Sequence, residues 1–254
     1  MANFLFHPSR FWHCLIIAIL GYCIIGALFF GISIGIGLGD MPYPYPFILP
    51  MGAAMLFGLF IYYKMNGSKW RKTMFVGNVK WQVSCIYIVL FVIFMYSFTL
   101  LTPPQQSTHH AEIDNIYLYN LAQFIFFLFA AIGEEVMFRG VFFNALKKRY
   151  NPWLIIIVIS LLFGLGHADY FLHVLSAFLS SVFLFVAYYR TKSLLLTILM
   201  HFSGDFFMYV LVNLQNGIYY SITGGIVLLS ISLIGFFLLG LHVKENTIIY
   251  DDTE

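Results

Sequence analysis

The sequence predicts an all-α fold, a polytopic membrane helical bundle of about eight transmembrane helices with both termini cytoplasmic. Three observations predict it: an apolar composition, apolar runs separated by breakers, and the placement of the positive charges. Of the 254 residues, 61% are hydrophobic and 9% charged, against about 45–50% and about 25% in soluble domains. A soluble domain of this size cannot cover its surface with so few charges, whereas each span of a bilayer needs only about 20 apolar residues. The formal net charge of +2 is too small to suggest nucleic-acid binding, so the partner that composition implies is the lipid bilayer.

Apolar runs fall at roughly 11–38, 46–63, 81–101, 116–146, 152–168, 171–189, 193–212 and 218–241. Pro42, Pro44 and Pro46 separate the first two, Pro103 and Pro104 end the third, and Asn151-Pro152 opens the fifth, as expected of residues that break helices or start them. Arg10 ahead of the first run resembles a signal peptide. The run is too long for a signal core, however, and lacks a clear small-x-small cleavage site, so it is read as a retained helix.

Loop charges set the orientation. With the N-terminus inside, the cytoplasmic segments hold Arg10, Lys64, Lys69, Arg71, Lys72, Lys80, Lys147, Lys148, Arg149, Arg190, Lys192 and Lys244, which is twelve of the 13 cations. The outer loops hold only acids, among them Asp40, Glu112, Asp114 and Asp169. This is the positive-inside pattern, and one missed or invented helix would scramble it. The chain reads as a single membrane domain over 1–254, with no internal repeat and with a solvated acidic tail, Asp251-Asp252-Thr253-Glu254.

Several features read as structural filler. Cys14, Cys23 and Cys85 lie in apolar stretches and are expected to be inert core residues, without a disulfide framework. Gly31, Gly35 and Gly39 repeat at four-residue spacing, which predicts close helix packing. The 29 Phe and 17 Tyr are expected to face lipid and its interfaces. His109, His110, His173 and His242 lack obvious partners and read as incidental.

The thirteenth cation, Arg139, sits inside the fourth run with Glu134 and Glu135. Ionisable groups inside a bilayer cost a few kcal/mol or more each, so they are functional candidates by default. Two further polar groups accompany them: Phe163-Gly164-Leu165-Gly166-His167 closes the fifth run, and His201-Phe202-Ser203-Gly204-Asp205 lies in the seventh. At ~1.5 Å per residue, Glu134 lies about 20 Å above Lys147, His167 about 22 Å above Pro152, and His201 and Asp205 about 13 and 19 Å above Lys192. Helices of both directions thus bring their polar residues to a common depth.

Spacing separates the roles. Glu135 and Arg139 are four apart and can form a structural ion pair at the site. Glu134 lies about 100° around the helix and is the less satisfied carboxylate. Peptide hydrolysis needs an activated water, a stabilised oxyanion and a proton for the leaving amine. A buried Glu134 suits a group that takes and returns a proton. His167 can orient the same water, and His201 with Asp205 beside it can donate to the oxyanion. Ser203 is off their face. The same histidines and carboxylates can also hold Zn²⁺ with an open water position, although there is no His-Glu-x-x-His pair. The sequence leaves metal-activated and glutamate-activated water both open.

Glu134-Glu135-x-x-x-Arg139, Phe163-x-x-x-His167 and His201-x-x-x-Asp205 resemble, in order, the three signatures of the CAAX protease and bacteriocin-processing (Abi) family of intramembrane proteases. The resemblance covers about residues 116–212, the expected protease core. It implies an intramembrane endopeptidase in which Glu134 and His167 activate the water, while His201 and Asp205 stabilise the oxyanion. The last position is commonly asparagine in the family. An ionised aspartate would repel an oxyanion, so Asp205 must be protonated, paired to His201 or otherwise engaged. The resemblance further implies a membrane-associated or lipidated peptide or protein substrate and a bacterial plasma-membrane setting.

Bland and rival readings stand beside this one. The Glu134, Glu135 and Arg139 group can be a helix-holding ion network, His167 a helix-end residue, and His201 a hydrogen-bonded bundle histidine. A proton-coupled transporter would also carry such groups, although paired halves with broken helices are not evident. A non-catalytic bacteriocin-immunity or scaffold protein of the same fold would retain the motifs.

Overall fold

The computed structural model describes residues 11–75, 80–102, 115–167, 170–214 and 221–243. Among these there is no strand, and the helices follow the predicted runs. They are α1 (Phe11–Gly35), α2 (Tyr45–Asn66), a short α3 (Trp70–Phe75), α4 (Trp81–Leu101), α5 (Ile116–Leu146), α6 (Pro152–Gly166), α7 (Phe171–Thr191), α8 (Leu194–Leu214) and α9 (Ile222–His242). Helices α2, α4, α5, α7, α8 and α9 are long and apolar enough to cross a membrane, while Ile19–Gly35 and Pro152–Gly166 are shorter apolar segments. The fold is an all-helical polytopic membrane bundle. Arg10, the Pro103-Pro104 breaker, His109, His110, Glu112, Asp114, Asp169, Lys244 and the acidic tail lie outside the described residues.

Local chemistry explains the helix starts. Asn115 accepts from the amides of Tyr117 and Leu118, each at 3.1 Å, and so caps α5. Asn151 accepts from the Trp153 amide at 2.9 Å, and Pro152 occupies the first turn of α6, where no amide is missed. Ser221 accepts from the Gly224 amide at 3.1 Å at the start of α9. Helix α7 stops at Lys192, which takes a left-handed conformation with φ of 53°.

Helix α5 packs between α2 and α8, and α4 lies against α8 and α9. Helix α7 touches α4, α6, α8 and α9. Lipid-facing surface carries the exposed apolar residues: Ile24, Leu28, Leu56, Ile234, Phe237 and Leu241 are all more than half exposed.

The inside is more aromatic than expected. Tyr62, Tyr87, Phe91, Phe94, Phe143 and Phe185 are at most 1% exposed, so many aromatics are core rather than lipid-facing filler. Cys23 and Cys85 are exposed, contrary to the expectation of core cysteines. A small apolar thiol costs little against lipid, which composition cannot distinguish from protein interior. The side chain of Cys14 is outside the described residues.

The glycine stripe also differs from expectation. A Cβ on Gly31 or Gly35 would meet nothing within 4 Å, and Gly39 lies beyond the end of α1. Close approaches do occur next to the three polar motifs, as they do at Gly21, Gly225 and Gly235. A Cβ on Gly133 would lie 3.3 Å from the Met55 backbone. On Gly164 it would lie 2.8 Å from the Val174 carbonyl, and on Gly204 2.7 Å from the Phe91 ring. Glycine there lets α5, α6 and α8 close on their neighbours at the level of the site.

Helix α5 is not uniformly α-helical. From Val136 to Phe143 it widens into a π-helix directly after Glu135, a form common at functional sites. The Asn144 amide sits 2.9 Å from the Gly140 carbonyl, 3.1 Å from the Arg139 carbonyl and 2.7 Å from the Tyr188 hydroxyl, which ties the widened turn to α7. Helix α6 has 15 residues, about 22 Å of rise, against about 30 Å of hydrocarbon. Its C-terminal end, His167, is therefore short of the bundle's far face.

Candidate active site

Arg139 has no exposure, and its guanidinium is held from two helices. Its Nη1 donates to Glu135 Oε1 at 2.8 Å along α5, the pairing that four-residue spacing predicts. Its Nη2 donates to the Ser181 carbonyl at 3.0 Å and to the Ser181 hydroxyl at 2.9 Å on α7. The Phe185 ring lies 4.2 Å from the guanidinium carbon, within cation–π range. Neither Ser181 nor Phe185 stood out in sequence, because a serine in an apolar helix carries no signal of a distant arginine.

Glu135 has a second partner. The same Oε1 lies 2.9 Å from His201 Nδ1 on α8. A carboxylate accepts, so Nδ1 is the donating nitrogen, which fixes the ring's orientation. The expected structural ion pair is therefore a three-residue chain, Arg139–Glu135–His201, joining α5, α7 and α8. His201 Nε2 then faces Asp205 Oδ2 at 3.3 Å and Glu134 Oε2 at 3.8 Å. Asp205 is thus paired to His201, one of the arrangements open to an aspartate at that position.

Glu134 and Glu135 are neighbours in sequence with opposite surroundings. The Glu135 side chain is 0% exposed. Glu134 is 17% exposed. Glu135 Oε1 is engaged by both Arg139 and His201, whereas Oε2 of each carboxylate has no hydrogen-bond partner. Buried polar atoms normally find one, so a lone carboxylate oxygen calls for an explanation. Glu134 lines a cavity of about 710 Å³ together with His167, His201 and Asp205. The structure therefore gathers all four predicted side chains around one space, reached from α5, α6 and α8.

His167 caps the end of α6. Its Nδ1 lies 2.9 Å from the Phe163 carbonyl, which can only accept, so in the neutral ring Nε2 carries the lone pair. The Phe163 ring lies 4.5 Å from His167, tilted, and 6.3 Å from His201, edge-on, centroid to centroid.

Polar cavity residues that the sequence did not single out include His173, Tyr43, Ser176 and Ser180. His173, set aside as incidental, lines the cavity with its ring 5.7 Å from His167. Tyr43, between Pro42 and Pro44, lines it from the α1–α2 connection, and Ser176 and Ser180 line it from α7. Helical depth from α7's start would have put His173 near His167; a tyrosine in a loop offers no such signal. Ser203 lines a separate groove with Phe202 and Phe206, in keeping with its being off the site.

The residues do not fit a metal centre: among those described, no group of three His, Cys, Asp or Glu side chains is arranged to hold an ion. The ring nitrogens facing a backbone carbonyl and Glu135 are already engaged.

Comparison with known proteins covers the same helices. Residues 117–207 match the family described as type II CAAX prenyl endopeptidase Rce1-like. Over these residues the chain is similar to CAAX proteases. It is also 30% identical over 129 residues to an uncharacterized 24.3 kDa protein of Escherichia coli, a match covering 49% of this chain. The chain spans 59% of the length of that relative. No solved structure matches it. The matched family segment runs from the start of α5 into α8 and carries all three polar motifs.

Proposed function

We propose that this chain, similar to CAAX proteases over residues 117–207, is an intramembrane endopeptidase using water activated by Glu134. The observation that carries the reading is the Glu134 side chain, part-exposed and lining a cavity that also holds two imidazoles. Glu134 takes a proton from water as the oxygen attacks the scissile carbonyl, and His167 Nε2 orients that water by accepting its second hydrogen. The developing oxyanion accepts from protonated His201 Nε2, whose ring is held by Glu135. Asp205, paired to His201, keeps the proton on that nitrogen until the oxyanion forms. Glu134 returns its proton to the leaving amine as the C–N bond breaks. Every proton in this cycle is held by a residue of the chain.

The substrate class is a membrane-associated or lipidated peptide or protein, and the setting a bacterial plasma membrane. The test compares wild type, Glu134→Gln and His167→Ala in a host deleted for the native copy, with membrane peptides read by mass spectrometry. A product present in wild type and absent in both variants supports the mechanism. Unchanged products from Glu134→Gln at equal protein level would make it wrong, and a carrier or non-catalytic scaffold would then lead.

A further inference from the structure

We propose that Tyr43 is a further catalytic residue, whose phenol donates the second hydrogen bond to the oxyanion. This deepens the proteolytic reading above and rests on it.

The need for a second donor follows from what surrounds the first. A tetrahedral intermediate is stabilised by donors aimed at the oxygen on which charge develops. In the cycle above only His201 Nε2 donates there. Glu134 keeps its proton for the leaving amine. Asp205, with Oδ2 3.3 Å from His201 Nε2, is an ionised carboxylate that accepts and does not donate. Its negative charge beside the site disfavours an oxyanion. A neutral donor is what this set of groups lacks.

Three hydroxyls line the cavity among the described residues, those of Tyr43, Ser176 and Ser180. Ser176 donates to the His173 carbonyl at 3.0 Å and Ser180 to the Ala177 carbonyl at 2.9 Å, so both are engaged within α7. Tyr43 is hydrogen-bonded, among the described residues, through its backbone carbonyl and not through its hydroxyl.

The Tyr43 phenol lies among the reacting groups. Desolvation, then the Asp205 carboxylate, Tyr119 and the Glu134 carboxylate raise its pKa above the ordinary value. Tyr43 as a whole is half-exposed, but all four influences act in the same direction. The phenol therefore keeps its hydrogen, and both carboxylates of the site are near enough to act on it.

The chain also holds this donor in place. Tyr43 sits between Pro42 and Pro44, whose fixed φ limits the backbone on both sides. Gln123, 2% exposed on α5, points Nε2 at the Tyr43 carbonyl at 3.5 Å and at the Tyr119 hydroxyl at 3.0 Å. The Tyr43 ring meets Phe126 edge-on at 5.1 Å and Phe47 at 5.8 Å, centroid to centroid, and both of these rings line the cavity too. A donor fixed beforehand needs no reorganisation when the charge appears.

The test uses the full chain in detergent, with quenched fluorescent peptides of aromatic and apolar sequence. It compares wild type with Tyr43→Phe, Tyr45→Phe and Glu134→Gln. Tyr43→Phe keeps the ring and removes only the donor. It should lower kcat by about 10²–10³-fold, the usual loss for one oxyanion donor, with KM and thermal unfolding little changed. A peptide aldehyde, whose hydrate imitates the tetrahedral intermediate, should bind this variant more weakly by a matching factor. Tyr45→Phe, two residues on and outside the cavity lining, should behave as wild type.

An unchanged kcat for Tyr43→Phe overturns the proposal and leaves proteolysis standing. So does a lower kcat with unchanged aldehyde affinity, with earlier unfolding, or with an equal loss in Tyr45→Phe, because each assigns Tyr43 to the fold. Cleavage undiminished in Glu134→Gln, or absent from wild type, overturns the proteolytic reading instead, and this inference with it.

Discussion

The half of the bundle near Tyr43 and His173 and the half near Lys147 and Lys192 use the same helices in opposite ways. In the first, α2, α5, α6, α7 and α8 diverge around a cavity lined by Glu134, His167, His201 and Asp205. In the second, the same helices pack together on Tyr62, Val136, Met137, Phe143, Ile156 and Phe185. The border runs between two adjacent residues of α5: Glu134 faces the cavity, while Glu135 faces the packed side and ties Arg139 to His201. Neighbouring carboxylates thus differ because one helical step turns a side chain from a cavity of about 710 Å³ into the packed interior. The comparison teaches that, on the proposed reading, the packed half positions and the half around the cavity reacts.

The largest effect should come from the open side of that border. Glu134→Gln keeps the side chain's shape but cannot accept a proton, and should lower cleavage by roughly 10²–10⁴-fold while leaving the melting temperature in detergent unchanged. A variant that unfolds earlier than wild type would move Glu134 into the packed half and break the comparison.

Next comes the packed side. Arg139→Leu leaves the Glu135 carboxylate buried without its cation, and should cost about 3–5 kcal/mol, read as lost folded yield and an earlier unfolding transition. Glu135→Gln should also destabilise. Because it loosens the His201 ring, it should lower kcat in the fraction that does fold. Full yield and full activity for both would show that the chain from Arg139 to His201 is not a support.

Between the halves, Gly164→Ala sharpens the comparison. Its methyl would lie 2.8 Å from the Val174 carbonyl and 3.0 Å from Phe178 Cβ, pushing α6 off α7 and moving His167. Overpacking of this kind costs about 1–3 kcal/mol, and activity should fall with it. Gly166→Ala, two residues on, meets nothing within 4 Å and should unfold like wild type. Equal thermal shifts for the two would mean that α6 does not press on α7 at Gly164.

A smaller change is expected at Gly31→Ala on α1, where a Cβ meets no neighbour. Thermal unfolding should be unchanged or later, by no more than ~1 kcal/mol, the helix-propensity gain over glycine. A clear loss of stability would restore the packing role that the four-residue spacing suggested. The smallest expected effect is none at all: exhaustive chelation should leave cleavage by purified protein intact. Activity that falls on chelation and returns with zinc would replace the glutamate-activated water by a metal-bound one.

Much of the fold was legible in the chain before any coordinates, for reasons that are local. The helix boundaries follow from proline, capping asparagine and the length of apolar runs, all of which act within a few residues. The pairing of Glu135 with Arg139 follows from four-residue helical spacing, and the common depth of Glu134, His167 and His201 from rise per residue. The membrane character follows from composition, because no arrangement of so few charges can solvate the surface.

Tertiary structure decided what depends on residues far apart in sequence. Glu135 holds His201 from 66 positions away, and Ser181 receives Arg139 from 42 away. Such contacts leave no periodic trace, since each helix satisfies its own backbone whichever neighbour it meets. The same reason explains the misplaced expectations. Glycines at regular spacing on α1 permit close packing but do not bring a partner, whereas Gly133, Gly164 and Gly204 do meet one. Phenylalanine and cysteine are equally at home against lipid and against protein, so Phe143 is buried and Cys85 exposed with nothing in the sequence to distinguish them. The sequence by itself determined which residues are costly in a membrane; only the packing of α5, α6, α7 and α8 decided which of those charges are paired and which one is left facing the cavity.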